Sequence, residues 1–483
     1  TFDIQDGATQ SLSSDNTIFT YSDFILNGTF DLRYAGNCYV DGEFEIASTG
    51  ELIIEGGEFI VENSSVSYNR VYGTMTMTDG LFWIDHNIRF ESTANANISG
   101  GMIRTGGFFA QQPGTFEPSG GILEIQSPSG GQGAVDCSGG NYFHDFSINA
   151  LSTSGGAHLN NDLLITNNFE ALTGVFNIDG FTATVQGNAT FYNGGLWMTE
   201  STDVFNAGDD PADEILWTSD ATFEWNNAGV VNIFGNCTIE NGVNFNIEAG
   251  QTIAFAGTGD QEFNNMDDAT FGTIELAKPS GALIIPSGSN VECESYDWTS
   301  GTLTLNGGDF TALDLADPGL FGTNNFYSGT AHFYQDDDQY PDINGDIVIQ
   351  DAIVTIEGGF SVSVWAWSEE ASLTMSGGEF NFYDNGIGIE SDWAPLFTEN
   401  ITGGTISTNG SFTCYRPGFT PEGGELKMIG SNEQVLKVSS GHLHHLTIEK
   451  YETEKSMPDV RSRTGEVIAP VDNVRVNLDA NLP

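Results

Sequence analysis

The sequence predicts an all-β chain folded as a parallel β-helix (β-solenoid) of about twenty coils of roughly 20–24 residues each. A Gly-Gly or Asp-Gly pair followed by alternating apolar residues recurs at Gly56-Gly57, Asp79-Gly80, Gly100-Gly101 and Gly120-Gly121. It returns at Gly194-Gly195, Gly358-Gly359, Gly377-Gly378, Gly403-Gly404 and Gly423-Gly424. The second glycines of the first four pairs are 23, 21 and 20 residues apart, and those at 359, 378, 404 and 424 are 19, 26 and 20 apart. Self-similarity at such a period marks a repeat that stacks on its own copies. The second observation is period-2 alternation after each pair, as in Thr302-Leu303-Thr304-Leu305, the pattern of a strand with one buried face. The third is that no 3.6-residue apolar period is sustained, in a chain with 60 glycines among 483 residues.

Each element follows from these. Glycine adopts positive φ without a Cβ clash, so the pair suits a sharp bend between two sides of a coil. The alternating segment after it forms a strand, and parallel pairing with the strand one coil later closes the stack. Length alone suggests several globular domains, but the period predicts one continuous solenoid over 1–426, on the order of 100 Å long at about 4.8 Å per coil. Residues 427–483 are expected to hold the last coils and a less acidic segment. Only Arg33, Arg70, Arg89, Arg104 and Lys278 precede position 416, whereas eight basic residues follow from there.

Charge excludes function classes. There are 67 acidic residues against 13 basic, a formal net charge of −54. Nucleic acid and anionic membranes both need a basic footprint, so neither is a partner. No run of eighteen apolar residues predicts a transmembrane helix. The acidity serves solubility in salt water or, alternatively, cation binding, with calcium as the one candidate cofactor. Thr1 opens the chain without a signal-peptide pattern, as expected of a processed form or a fragment. Cys38, Cys137, Cys237, Cys293 and Cys414 are odd in number and widely spaced, which predicts buried small hydrophobes rather than a disulfide framework or zinc site.

A longer unit lies above the single coil. Phe116-Glu117-Pro118-Ser119-Gly120-Gly121-Ile122-Leu123-Glu124-Ile125 matches Phe419-Thr420-Pro421-Glu422-Gly423-Gly424-Glu425-Leu426-Lys427-Met428. Gly140–Asn149 follows the first copy and Gly441–Lys450 the second. Gly257 with Gln261 and Phe263 recurs as Gly430 with Gln434 and Leu436. The second copy stops at Pro483 in mid-phrase, so the native polypeptide is expected to continue.

These phrases, "FTPEGGELKMIGSNEQVLKVSSGHLHHLTIEK" and "FEPSGGILEI…YFHDFSIN…LNNDLLITNN…GVFNIDGFTATVQGN", resemble the glycine-rich β-helical repeats of very large surface proteins of Bacteroidetes. The likeness covers 107–190 and 400–483 well and the rest loosely. Such proteins commonly leave the cell through the type IX secretion system, directed by a C-terminal sorting domain. The resemblance implies an extracellular location at a bacterial cell surface and partners in secretion or surface attachment. The group has no catalytic residues to carry over, and no sorting domain is seen in this sequence.

Candidate sites are few. Asp336, Asp338, Asp342, Asn344 and Asp346 alternate oxygen ligands in the manner of calcium loops, yet Gly345 stands between ligands and no bidentate Glu follows, so a plain acidic corner competes. Asp209, Asp210, Asp213 and Glu214 form a weaker acidic group. Trp365 and Trp367 share one side of a strand: outward they make a ligand-binding platform for a sugar ring, inward a core stack. His442, His444 and His445 suggest a metal site, against which the first copy has Asn141 or Tyr142, Phe143 and His144 in those places. A lyase needs a basic residue that this composition scarcely provides, whereas carboxylate pairs for a glycosidase arise anywhere among 67 acids.

The expected function is therefore a non-catalytic, extracellular structural or adhesive solenoid. Its rivals are a carbohydrate-active β-helix enzyme and a glycan-binding module. An enzyme should interrupt the coils with a cleft, for which 196–300 is the candidate region because the Gly-Gly spacing lapses there. A stalk should run uninterrupted, and an adhesin should carry an aromatic or acidic strip across several coils.

Overall fold

The computed structural model describes residues 2–12, 16–33, 36–62, 67–112, 115–127, 131–138, 142–225, 229–247, 251–315, 319–334, 342–358, 362–363, 371–384, 386–390, 397–414, 419–431, 434–438, 441–450 and 474–478. Among them there is no helix, and the parallel strands stack as a β-solenoid of about 17 turns. Contacts group the chain into two compact units, Thr1–Thr252 and Ile253–Pro483.

In the first unit each early coil carries three strands. Phe24–Leu26, Thr29–Leu32 and Asn37–Asp41 make one coil. They pair in parallel with Phe44–Ile46 and with the two halves of the bent strand Glu51–Glu62. The rows continue into Thr74–Ile84 and Asn95–Thr105, where Glu58, Leu81, Met102 and Ile122 stand in register. Their spacing reproduces the 23, 21 and 20 residues read from the glycine pairs.

Glycine is needed at the bend because the coils touch there. Gly57 has φ +77° and a Cβ on it would lie 1.9 Å from the Gly36 carbonyl oxygen. Gly101 has φ +77° and the Gly80 carbonyl oxygen 2.8 Å from where its Cβ would be. Both conditions exclude a side chain.

Inside, alternation buries the apolar set. Phe24, Phe30, Phe59, Phe82, Phe169 and Phe191 are fully buried. Rings stack from coil to coil, Phe191 on Trp217 at 5.4 Å and 4°. Ile356 in the second unit is 1 % exposed. All five cysteines are buried, as the spacing predicted. Burial pushes the Cys38 thiol up to about 12 and those of Cys137, Cys237 and Cys293 well up, so these thiols stay protonated and unreactive.

Corners are held by side-chain acceptors. Asp145 Oδ1 accepts the Asn168 N–H at 3.0 Å, Asn168 Oδ1 the Asn188 N–H at 3.1 Å, and Asn188 Oδ1 the Glu214 N–H at 2.9 Å. This relay across four coils satisfies donors that the strand ladder leaves over. Part of the Asp and Asn content is thereby structural.

Candidate functional site

The region expected to open a cleft keeps its coils. Leu196 pairs with Phe223 and Phe223 with Phe245. Glu214–Trp217 pairs residue for residue with Asn236–Ile239. In the second unit Thr270–Pro286 pairs with Asn290–Ala312 in two stretches, 270–277 and 282–286, with register shifts within and between them. The lapse in Gly-Gly spacing there reflects other ways of turning, such as the Asp209–Asp213 corner.

That corner explains its own acids. Asp213 Oδ2 accepts the Asp209 and Asp210 N–H groups at 3.0 and 2.9 Å, and Asp210 Oδ1 accepts that of Ala212. Glu214 Oε1 accepts the Thr238 hydroxyl at 2.6 Å. Among the described residues no three His, Cys, Asp or Glu side chains converge as metal ligands.

Of the calcium candidates, Asp336 and Asp338 lie outside the described residues. Asp342, Asn344 and Asp346 fall in the strand Asp342–Ile349, where a corner loop had been expected. Asp346 is half-buried and accepts the Ser372 hydroxyl at 2.6 Å. Trp365 and Trp367 lie outside the described residues. Trp217, by contrast, is a core residue at 1 % exposure.

The histidines gain a different alignment from the strand register. Leu123 pairs with Phe146 and its counterpart Leu426 with Leu446. Phe146 and Leu446 are therefore equivalent, which sets His144 against His444 and Asp145 against His445, one residue from the sequence alignment. The pair at each place is in contact: His144 Nδ1 lies 2.9 Å from Asp145 Oδ2, and the rings of His444 and His445 are 5.3 Å apart. Each pair borders an apolar dent, of about 210 Å³ beside Phe116 and Pro118 and about 290 Å³ beside Phe419 and Pro421. These dents arise where the Phe-x-Pro phrase interrupts a strand row.

One larger hollow, of about 520 Å³, is polar and lined by Asn168, Phe169, Glu170, Asn188, Thr190 and Glu214. Glu170 pairs in register with Thr190 and Thr190 with Leu216. Glu214 thus stands two coils from Glu170 and two residues off its lane: their backbones are about 9.6 Å apart along the coil axis and farther overall, beyond the carboxyl separations of retaining and inverting glycosidases alike.

Lys278, in the second unit, is a buried cation with 0 % exposure. Its ammonium donates to the Gly257 carbonyl at 3.0 Å and to Gln261 Oε1, which also accepts the Gly257 N–H. Desolvation lowers its pKa to about 8, opposed by the charge of Asp260. This lysine ties a corner, with Asp260 the carboxylate whose charge acts on it.

Sequence reading did not find an outward ladder on the third strand row of the first unit. Phe19 pairs with Tyr39, Tyr39 with Ile60, and Ile60 with Trp83. The rings of Phe19 and Tyr39 stack at 5.0 Å and 11°. Phe19 is 61 % exposed, and Tyr39 and Trp83 are half-buried. Ile60 lies between the inward Phe59 and Val61, yet is only 6 % exposed because its lane neighbours flank it. The available signal was the coil period itself, applied to outward instead of inward residues.

No protein-family model matches the chain, and neither a curated protein nor a solved structure matches it. Among the described residues no helix is long and apolar enough to cross a membrane.

Proposed function

We propose that the chain is a non-catalytic structural and adhesive solenoid of a secreted bacterial surface protein. The observation that supports this most is the coil-to-coil strand pairing that continues, with register shifts, among the described residues of 196–247 and 270–312, the candidate region for an enzyme's cleft. The outward ladder supports the adhesive half of the reading. The repeat resemblance supports an extracellular position and export through the type IX route, with secretion or attachment machinery as partner.

A second reading, a glycosidase, has one observation in its favour, the Glu170 and Glu214 hollow. Both are tested by titrating the chain calorimetrically with calcium and with bacterial and algal polysaccharides while reducing-sugar and unsaturated products are measured in the same samples. Binding without turnover is expected. Product release that disappears in Glu214→Gln overturns the structural reading in favour of the enzyme. Chelator is expected to leave the melting temperature unchanged, and a large fall would give the acidic segments a calcium role.

A further inference from the structure

We infer that His444 and His445 chelate one zinc-class divalent ion through their two Nδ1 atoms, with water filling the remaining positions. The site goes beyond the adhesive reading and depends on no part of it.

Distance carries the inference. The two Nδ1 atoms are 3.4 Å apart, on rings inclined at 35° to each other. Zinc–imidazole bonds are about 2.1 Å long, and two of them at a tetrahedral angle set their nitrogens about 3.4 Å apart. Both side chains are exposed, so a turn of each ring brings the two lone pairs onto one ion. Without the ion, one ring can only donate to the other, and a single lone pair is used.

The backbone beneath the pair is held at both ends. The His442 N–H donates to the Phe419 carbonyl at 3.0 Å, and the Leu426 N–H donates to the His445 carbonyl at 2.9 Å. The rings are therefore presented from a segment already tied to the preceding coil, which lowers the entropy lost on closing the chelate. Both also line the dent beside Phe419 and Pro421, an apolar wall that offers an arriving ion no competing donor.

The donors select the ion. Imidazole nitrogen suits zinc, copper and nickel, whereas calcium and magnesium prefer oxygen. The net charge of −54 raises the local concentration of any cation, but its carboxylates discriminate little between them. Among the described residues no third His, Cys, Asp or Glu joins the pair, so the site keeps open positions and exchanges its ion.

The first copy of the long unit supplies the contrast. In the equivalent place Asp145 Oδ2 lies 2.9 Å from His144 Nδ1. The carboxylate accepts the proton on that nitrogen, which takes Nδ1 out of use as a ligand. Histidine in place of aspartate at 445 is what turns a hydrogen-bonded pair into a chelate.

The test is calorimetric titration of the full chain with zinc chloride in excess magnesium, which occupies the carboxylates beforehand, together with ring ¹⁵N spectra of the histidines. One zinc per chain should bind, and two of the seven histidines should shift at Nδ1. His445→Asp, which restores the pairing of the first copy, and His444→Asn should each weaken that step by at least about tenfold. His144→Asn should leave it unchanged. Heat that shows no stoichiometric step, a step retained in both His444→Asn and His445→Asp, or ¹⁵N shifts confined to other histidines would each overturn the site. The spectra of the wild-type chain decide the question even if a variant fails to fold.

Discussion

The two copies of the long unit, 98–149 and 401–449, agree best at their bends and at the inward positions next to them, while Phe146, buried, is matched by Leu446, 36 % exposed. Phe116 and Phe419, Pro118 and Pro421, the glycine pairs, and Leu123 and Leu426 occupy the same places, all inward or at the bend. Outward positions have drifted: Ile122 is matched by Glu425, Glu124 by Lys427 and Asp145 by His445. Even so, one outward contact persists with changed chemistry. Glu124 Oε2 accepts from Asn149 at 3.4 Å, and Lys427 Nζ contacts Glu449 at 3.0 Å across the equivalent coils. A coil therefore constrains volume and backbone clearance, while leaving its surface free to specialise. Anything specific that this chain does has to be sought among outward residues.

The largest expected effect tests the equivalence of the inward set. Phe116→Ala and Phe419→Ala should each cost about 3–5 kcal/mol in denaturant unfolding. A cost below about 1 kcal/mol at either site would break the equivalence between copies.

A pH effect comes next, from a corner that occurs twice in the second unit, alike in outline but not in detail. Gln261 and Gln434 are both fully buried and both bond within their own turn, but in the structure Gln261 is bonded to Lys278. The folded pKa of Lys278, about 8, lies below the ordinary lysine value of 10.5. Between these values the unfolded chain binds the extra proton, so stability from this group rises with pH through that window and is lost as pH falls through about 8. The buried thiols act oppositely above about 9, because their folded pKa values are raised. Melting temperature should therefore increase between pH 7.5 and about 9, and Lys278→Met should flatten that rise. A wild-type profile without the rise would show that the ammonium is not desolvated.

Smaller effects sharpen the outward contrast. Glu124 is buried against Arg104, whereas Lys427 and Glu449 are both substantially exposed. Glu124→Gln should cost about 1.5–3 kcal/mol, and Lys427→Ala less than about 1 kcal/mol. Equal costs would mean that the two outward contacts differ in sign of charge but not in burial. Smallest in scope is Gly424→Ala, at φ +79° with the neighbouring carbonyls 3.1 Å from the added Cβ. It should lower stability by about 1–2 kcal/mol, as should Gly121→Ala at φ +81°.

The coil period and its bends were legible because glycine is the residue that survives there: Gly57, Gly80, Gly101 and Gly121 all have positive φ. Cysteine burial was legible from spacing and oddness. The His444 placement was not, because gapped repeats align within one residue either way until strand pairing fixes Phe146 against Leu446. The corner relay from Asp145 to Asn188 was hidden among ordinary polar residues, since its meaning lies in which N–H each side chain meets one coil later. Lys278 looked like one of few basic residues, and nothing local to it announced burial. The aromatic ladder escaped because Phe19, Tyr39 and Trp83 are about twenty residues apart and each is unremarked alone.

The Phe-x-Pro phrase has a mechanical meaning. Within the first unit, a pull along the coil axis is borne by all the strand pairs of one coil boundary in parallel, and by successive boundaries in series. Where Asn95–Thr105 meets the Thr115-Phe116 strand, the second row is reduced to two register pairs, Asn95 with Thr115 and Ala96 with Phe116. The same row holds four pairs one boundary earlier, from Thr74 with Asn95 to Met77 with Ile98. Under load the second row therefore bears less of the pull at this boundary than at the one before it, and the proline of the phrase is what thins it.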